Sequence, residues 1–469
     1  MKKAILFFFI VSACISAHAQ NKSKLNYYDK IQGCWQGILS AGGQKFNIIF
    51  EFEKISNDSI LAKLNVKEQD VVSMPMDKAV LKDSLLTITC KAAGLKYDGV
   101  MDCDSMKIKG TWKQGASKTP FTITYSDTIK LMKHPQEPKR PFPYAEEQVS
   151  FESTAGVKLA GTLTYPNTGE NFPAVVMVTG SGPQNRDEEL LGHKPFLVIS
   201  DYLTRHGIAV LRYDDRGTAS STGDYAKATT LDNADDALAG FNFLKTNKKI
   251  NPLKIGIMGH SEGGIVAPML AAKNKDIAFI IMLAGPGLDG AKILNLQRTL
   301  ISRAEGQKEE DIKKDNDLAD KIFSIIRKEK DNKKAAAKMS KIMIASLPDS
   351  LKKDMKTAMQ INQQIASMTS PWMRFFITYD PQTCLQHVKC PVLALNGEKD
   401  LQVPAKENIP AIEKALKKAG NKDYTIKEMP GLNHLFQHCT TGSPTEYAKI
   451  EETFSPEVLE IIANWILKH

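Results

Sequence analysis

From Glu147 onward, short apolar runs alternate with helical patterns, and no other feature constrains the fold of this chain as strongly. Strands buried on both faces of a parallel sheet are nearly continuous apolar runs, whereas amphipathic helices repeat their apolar residues at helical spacing. The predicted strands are 174–178, 208–212, 254–258, 278–283, 391–395 and 424–429. The predicted helices are 194–205, 231–246, 261–273, 405–418 and 456–467. The alternation predicts a doubly wound α/β fold over residues 147–469.

One long interval interrupts this alternation. Residues 289–376 lie between two predicted strands, are rich in lysine and follow a helical period. A connection of this length inside a compact domain usually has structure of its own, so the segment is predicted to be an inserted helical cap. Its lysines allow two interpretations: a solvated helix face, or a surface that attracts an anionic substrate.

Residues 22–128 have a different pattern. Apolar and polar residues alternate in short runs, with turn-forming pairs between them, at 45–53, 59–66, 85–91 and 121–125. Such runs with modest apolar faces predict a small all-β, barrel-like domain of antiparallel strands. Trp35 and Trp112 are predicted to pack in its core, with a binding role as the alternative.

Prolines are concentrated in residues 129–146, between the two regions. Proline fixes φ and removes a backbone donor, so this stretch is predicted to be a semi-rigid linker. It marks the expected domain boundary.

Residues 1–19 have the pattern of a signal peptide. Lys2 and Lys3 precede the apolar run 4–11, and Ala-His-Ala at 17–19 supplies small residues for cleavage. The sequence Val-Ser-Ala-Cys ending at Cys14 also resembles a lipobox, in which Cys14 would be lipidated. The leader predicts export to the periplasm or the cell surface, with a lipid anchor through Cys14 as the alternative to cleavage after residue 19.

Charge and cysteine spacing exclude several classes of protein. The chain has 62 Lys and Arg against 53 Asp and Glu, a net charge of +9, which does not indicate nucleic-acid binding. It has no CxxC pair and no cysteine cluster with zinc spacing, so no metal is predicted. Cys90 and Cys103, on successive predicted strands, either face each other or are free thiols.

The sequence GHSEGG at residues 259–264 is the strongest chemical signal. It follows the predicted strand 254–258 and opens the predicted helix 261–273, which is the context that gives a G-x-S-x-G motif its meaning. The tight turn requires small residues beside Ser261 and exposes its Oγ above the edge of the sheet. Ser261 is therefore the predicted nucleophile.

A serine needs a base, and hydrolases with this motif place an acid and then a histidine later in the chain. Asp400 follows the predicted strand 391–395 and is the predicted acid, with Glu398 as its rival. His434 follows the last predicted strand and is the predicted base.

Two further histidines compete with this base. His438 lies one helical turn beyond it, whereas His260 directly precedes the nucleophile and is predicted to be structural. The base is expected to take the serine proton and return it to the leaving group, while the acid orients the ring.

Backbone N–H groups are expected to stabilise the oxyanion. Glu262, the residue after the nucleophile, offers one, and the loop after the first long parallel strand offers the other. That loop reads TGSGP at 179–183, so Ser181 is the predicted second donor, with Gly180 beside it as the alternative.

A second loop carries charged residues near this region. Arg216 is predicted to pair with Asp214 or Asp215 and to brace the loops around the site, with direct substrate contact as the alternative.

Six motifs in order resemble the α/β-hydrolase superfamily, and within it the secreted bacterial carboxylesterases of the EstD-like group. They are GSGPQNRD (180–187), GHKPF (192–196), RYDDRG (212–217), GHSEGG (259–264), PVLALNGEKDLQVP (391–404) and GLNHLFQ (431–437). The resemblance implies Ser261, Asp400 and His434 as a triad, and hydrolysis of carboxylic esters with short acyl chains. Many relatives have His where this chain has Thr179.

The predicted function is thus a serine hydrolase that cleaves a small-molecule ester through an acyl-enzyme, without a metal or organic cofactor. A serine peptidase of the aminopeptidase or prolyl-oligopeptidase kind would use the same triad. A thioesterase, and a non-catalytic protein that binds a saccharide or a partner, remain further alternatives.

Overall fold

The computed structural model describes residues 27–41, 44–56, 59–66, 71–91, 93–115, 117–128, 134–352 and 354–469. The chain divides into two compact units, Met1–Lys130 and Leu131–His469. The predicted signal peptide at 1–19, with Cys14, lies outside the described residues. The first strand of the second unit begins at Tyr144, inside the segment predicted as a linker.

The first unit is a short helix followed by a meander of antiparallel strands. Helix α1 is Tyr27–Ile31. The strands are β1 (Gly33–Ala41), β2 (Gln44–Lys54), β3 (Ile60–Val66), β4 (Val71–Pro75), β5 (Lys78–Lys82), β6 (Leu85–Cys90), β7 (Leu95–Asp102), β8 (Lys107–Gln114) and β9 (Ser117–Ser126). They form one nine-stranded sheet in the order β4-β3-β2-β1-β9-β8-β7-β6-β5. Pairing of the first strand with the last curls the meander into a half-barrel, which confirms the predicted small all-β domain.

Alternating side chains of this sheet line its concave side. Trp35 and Trp112 are both buried there, as predicted. Trp112 contacts the rings of Phe50 and Phe121. Of the cysteines in the described part of the chain, none is disulfide-bonded, so Cys90 is a free thiol.

The second unit contains an eight-stranded sheet in the order β10-β11-β13-β12-β14-β15-β16-β17. Its strands are β10 (Tyr144–Glu152), β11 (Lys158–Pro166), β12 (Phe172–Val178), β13 (Ala209–Tyr213), β14 (Ile250–His260), β15 (Ile280–Leu283), β16 (Val392–Gly397) and β17 (Tyr424–Met429). The strands from β12 to β17 are parallel, whereas β10 and β11 add an antiparallel edge. The predicted α/β sheet is confirmed, and the antiparallel edge is a feature that the sequence analysis did not predict.

Helices cover both faces of this sheet. The helices of the unit are α2 (Pro195–Arg205), α3 (Thr230–Thr246), α4 (Gly263–Ala271), α5 (Gly290–Ala304), α6 (Glu309–Lys328), α7 (Asn332–Ala345), α8 (Met355–Met368), α9 (Pro371–Thr378), α10 (Gln382–Leu385), α11 (Ala405–Ala419), α12 (Pro444–Tyr447) and α13 (Pro456–Lys468). Helices α3, α4 and α11 pack on one face, and α2 and α13 pack on the other. Across the described residues, we find no helix with the length and hydropathy needed to cross a membrane.

Helices α5 to α9 form the insertion between β15 and β16. Their apolar faces pack into a cluster of their own around Phe323, Ile326 and Met339. Several of the lysines pair with acids on the same surface, including Lys314 with Glu310.

Candidate active site

The turn at residues 259–264, which carries the predicted nucleophile Ser261 and is called the nucleophile turn below, joins β14 to α4. Ser261 has a φ of +52°, a left-handed conformation that is strained for a residue with a side chain. Its backbone N–H donates to the carbonyl of Leu283 at 2.8 Å. A Cβ on Gly259 would lie 1.9 Å from the carbonyl oxygen of Gly263, so the turn requires glycine there. The motif therefore folds as the sharp strand–turn–helix that its sequence predicts.

Asp400 and His434 lie on the loops that follow β16 and β17, and the structure brings their side chains together. Nδ1 of His434 lies 2.8 Å from Oδ2 of Asp400. Oδ1 of Asp400 accepts the backbone N–H groups of Gln402 and Val403, each at 2.8 Å. The carboxylate is thus an acceptor on both oxygens, so Nδ1 donates to it and Nε2 of the ring remains available as a base. The two residues are only 1% and 4% exposed, respectively.

The loop around His434 is held by two amides that the sequence analysis missed. Oδ1 of Asn433 accepts the N–H groups of Leu435 and Gln437, each at 3.0 Å. Nδ2 of Asn433 donates to Oε1 of Gln437, whose own amide donates to the carbonyl of Glu452. Both amides are fully buried. The GLNHLFQ motif has an amide residue on each side of the histidine, and this pattern could have predicted the two amides that hold the loop.

The rival candidates have other partners. Glu398 accepts the N–H of Gly431 at 2.8 Å. His438 is exposed, and its Nδ1 lies 2.8 Å from Oε2 of Glu452. Neither is bonded to Asp400 or His434.

His260, predicted to be structural, is buried between two loops of the site. Its Nδ1 lies 3.0 Å from Oε1 of Glu188, and its Nε2 donates to the carbonyl of His434 at 3.0 Å. Oε1 of Glu188 also accepts the N–H of Gly180 at 2.7 Å. Burial lowers the pKa of His260, but the charge of Glu188 and its hydrogen bond outweigh burial and raise that pKa above its ordinary value. The pair connects the loop of the predicted oxyanion donor to the loop of the predicted base.

The segment 179–184 is held by further side chains. Oγ1 of Thr179 donates to Asp215 at 2.8 Å, and the N–H of Gly182 donates to the hydroxyl of Tyr225 at 3.0 Å. Asp215 is almost completely buried, and this burial raises its pKa well above the ordinary value. The N–H of Gly180 is bonded to the carboxylate of Glu188, and the donor role of Ser181 stays a prediction. An added Cβ on Gly180 would lie 3.2 Å from Cβ of Ser261, so this loop passes directly beside the nucleophile.

The side chain of Glu262 connects the nucleophile turn to the insertion. Its carboxylate accepts the indole N–H of Trp372 at 2.8 and 2.9 Å and the hydroxyl of Thr230 at 2.6 Å. It is 2% exposed, and burial raises its pKa despite these hydrogen bonds. From the sequence, only the backbone N–H of Glu262 was predicted to have a role.

The predicted pairing of Arg216 was wrong. Its guanidinium binds Asp236 and Asp232 at the start of α3, with distances of 2.7 to 2.9 Å. Asp214 is instead paired with Arg186 at 2.7 Å. Asp232 and Asp236 lie one helical turn apart on the same face of α3, so both can bind the guanidinium of Arg216. Proximity in the sequence favoured Asp214 and Asp215 instead and gave no indication of this contact.

Within the described part of the chain, no three side chains of the His, Cys, Asp and Glu types are grouped so that they could hold a metal ion. The groups around Ser261 are proton donors and acceptors, which suit nucleophilic and acid–base chemistry.

This sheet, with a strained serine after β14 and a His–Asp pair on the loops after β16 and β17, defines the chain as an α/β hydrolase. Residues 155–436 match the model of the X-Pro dipeptidyl-peptidase family S15, so the chain belongs to that family.

Two relatives that are similar to this chain are named for different activities. Esterase EstD of Thermotoga maritima is 25% identical over 312 residues, which are 66% of this chain and 66% of EstD. Polyketide transferase claH of Penicillium crustosum is 29% identical over 150 residues, which are 30% of this chain and 44% of that protein. The chain therefore spans less than two thirds of the length of these relatives.

Two solved structures are similar to this chain. Esterase Pf2001 of Pyrococcus furiosus is 17% identical, with a TM-score of 0.41, and the match covers 72% of this chain and 98% of that one. Est1E of Butyrivibrio proteoclasticus with bound ferulic acid is 20% identical, with a TM-score of 0.41, covering 68% and 98%.

Proposed function

We propose that this chain is a serine hydrolase that cleaves carboxylic esters with short acyl chains through an acyl-enzyme on Ser261. The observation that carries the proposal is the 2.8 Å hydrogen bond between His434 and Asp400, on loops that meet at the nucleophile turn. The ring of His434 lies 4.9 Å from that of His260, the residue directly before the serine.

In the proposed first step, Nε2 of His434 takes the proton of Ser261 as Oγ attacks the ester carbonyl. Asp400 keeps the ring in the tautomer with its proton on Nδ1 and stabilises the imidazolium that forms. The ring then gives its proton to the leaving alcohol, and the serine remains acylated. Water, deprotonated by the same ring, releases the acid and restores the hydroxyl.

The oxyanion is proposed to accept the backbone N–H groups of Ser181 and Glu262. The second donor lies at the start of α4, where the helix dipole favours negative charge. Removing one such donor typically costs about 10²–10³ in rate.

Two observations bear on the substrate. The relative EstD carries the name of an esterase, which favours the ester, whereas the family model is that of an X-Pro dipeptidyl-peptidase, which favours a peptide with proline as its second residue as the second candidate. The helices α5 to α9 are proposed to cover the site and to set the preference for the acyl or alcohol group.

Turnover of p-nitrophenyl acetate and butyrate, compared with aminoacyl-prolyl p-nitroanilides, tests this choice. The ester proposal expects efficient cleavage of the esters and little of the anilides, and S261A should reduce ester cleavage by about 10³-fold or more. If the anilides are cleaved more efficiently than the esters, the proposed substrate class becomes a peptide rather than an ester. Full activity of S261A would contradict both candidates.

Export is part of the proposal. The leader at 1–19 is proposed to direct the chain to the periplasm or the cell surface, either by cleavage after residue 19 or by lipidation at Cys14. The mass of the mature N-terminus would distinguish these two forms.

A further inference from the structure

The half-barrel of the first unit encloses a cavity of about 430 Å³ on its concave side. Protein interiors normally pack with few voids larger than a water molecule, whereas sites for small ligands have volumes of about 300–1,000 Å³. Barrels with about eight strands are either filled by side chains or hold one small ligand. The size of this cavity places it in the second group.

The cavity lies at one end of the sheet. Its wall is built where β1, β3 and β8 end and where β2 and β7 begin. The other side of the interior is filled by packed aromatic rings, among them Phe50, Tyr97 and Phe121. Trp112 belongs to this aromatic group and also lines the cavity, so the rings form its floor.

The lining is apolar. The buried lining side chains, each at most 6% exposed, are Leu39, Ile48, Leu64, Val66, Leu95 and Trp112. Of the described residues that line the cavity, none is charged. A charge buried against such a wall has no partner and costs several kcal/mol, so the inserted part of a ligand has to be uncharged.

Among the described residues that line the cavity, Gln114 is the one with a polar side chain at the rim. Gln114 is exposed, and its amide donates to the carbonyl of Ala93 at 3.0 Å and accepts the indole N–H of Trp112 at 3.3 Å. An amide has two donors and two acceptor lone pairs, so one of each remains for a polar group at the mouth. An aliphatic chain with a single polar end fits a cavity whose interior is apolar and whose rim is polar and exposed to water.

We propose that this cavity is a binding site for one unbranched aliphatic chain, inserted with its polar end at Gln114. The site is separate from Ser261 and does not depend on the proposed hydrolysis. A free fatty acid and a fatty alcohol share the relevant chemistry, and both should bind.

The test uses the full-length protein and the neutral fluorophore N-phenyl-1-naphthylamine. We expect saturable binding of one probe per chain, and displacement by decanoic acid and decanol. Decanedioic acid should displace the probe at least about tenfold less well, because its second carboxylate would have to enter the apolar interior.

Matched variants locate the binding. Val66→Phe and Ala93→Phe add volume inside the cavity, whereas Leu61→Phe makes a comparable change on the outer face of β3, where Leu61 is exposed. Either filling variant should weaken probe binding at least about tenfold, with L61F unchanged. Thermal unfolding checks that each variant folds. If V66F does not fold, A93F still tests the proposal, because Ala93 is less buried than Val66.

Absence of saturable binding would overturn the proposal. So would equal affinity in A93F, V66F and L61F, because the probe would then be bound elsewhere, including the hydrolase site.

Discussion

At the scale of single residues, His260 is the clearest case of a side chain whose role depends on distant partners. The carbonyl of His434 can only accept, so Nε2 of His260 has to carry a proton, and Nδ1 faces a buried carboxylate. The ring therefore ties the loop of the proposed base to Glu188 and, through it, to Gly180. The expected effect is on the relative position of these loops rather than on proton transfer.

Replacing Glu188 with glutamine tests this positioning role. E188Q keeps the shape of the side chain but loses the charge that Gly180 and His260 share, and hydrogen bonds to charged groups contribute about 1.5–3 kcal/mol. We expect kcat for ester cleavage to fall about tenfold or more, with a smaller change in KM. The neighbouring variant E189Q, in the same loop, is the control. Equal kcat in the two variants would contradict the role.

The raised pKa of His260 predicts a pH dependence of stability. The ordinary pKa is 6.5, and the folded value lies above it, so the folded state binds more protons than the unfolded state between the two values. This contribution is complete below about pH 6.5 and is lost as the pH rises through the folded pKa. In urea titrations, the advantage of the wild type over H260Q should shrink above pH 6.5. The control Met359→Ala, at an exposed position, changes no titratable group and should show no such trend. A growing advantage would contradict the assignment.

Sequence order predicted which acid and base could meet, but not what holds them. Asp400 and His434 follow strands whose carboxyl ends lie at one edge of the sheet, and this edge could be read from the apolar runs. Glu188 and His260 are separated by 72 positions and carry no pattern that relates them. Such a contact depends on the path of a loop, which local propensity does not determine.

At the scale of elements, Arg216 connects the loop after β13 to α3. Its partner Asp236 has a side chain that is only 2% exposed, so removing the arginine leaves a buried carboxylate without its cation. Breaking such a pair costs about 3–5 kcal/mol.

R216A should lower the free energy of unfolding by about that amount. The control is Arg205 on α2, whose side chain is 43% exposed. R205A removes the partner of Asp201 and should cost less than about 1 kcal/mol. The double variant R216A/D236A should recover part of the loss, because it removes the unpaired charge as well. Equal losses in R216A and R205A would contradict the structural assignment.

Trp372 connects the insertion to the nucleophile turn. W372F keeps the aromatic ring but removes the N–H that Glu262 accepts, and a buried acceptor that loses its donor costs about 1–3 kcal/mol. We expect lower thermal stability and altered relative rates on acetate, butyrate and decanoate esters. Ala substitution at the exposed Met359 of α8 is the control for both measurements. Unchanged relative rates in W372F would count against a role of the insertion in specificity.

At the scale of the whole molecule, the parallel strands could be predicted because they are nearly continuous apolar runs, and their covering helices because their apolar residues repeat at helical spacing. Strands β10 and β11 could not, because only Tyr144 and Phe151 of β10 are buried and the pair lies at the edge of the sheet. In the first unit, the predicted runs 45–53, 59–66, 85–91 and 121–125 lie on β2, β3, β6 and β9, whereas the short strands β4 and β5, with five residues each, were not predicted.

The second unit contains every residue of the proposed triad, the oxyanion loop and the insertion. It also contains both apolar cores on its sheet. A chain of residues 134–469 is therefore expected to fold and to cleave p-nitrophenyl butyrate with most of the activity of the full chain. An unfolded or inactive product would show that the first unit is needed for the site.

Covalent labelling tests whether Ser261 is a nucleophile that His434 activates. A fluorophosphonate should add one label per chain by intact mass, with none in S261A and a greatly slowed reaction in H434A. The control S367A, at an exposed serine of α8, should label like the wild type. Equal labelling of S261A and the wild type, or no labelling of the folded wild type, would contradict the account.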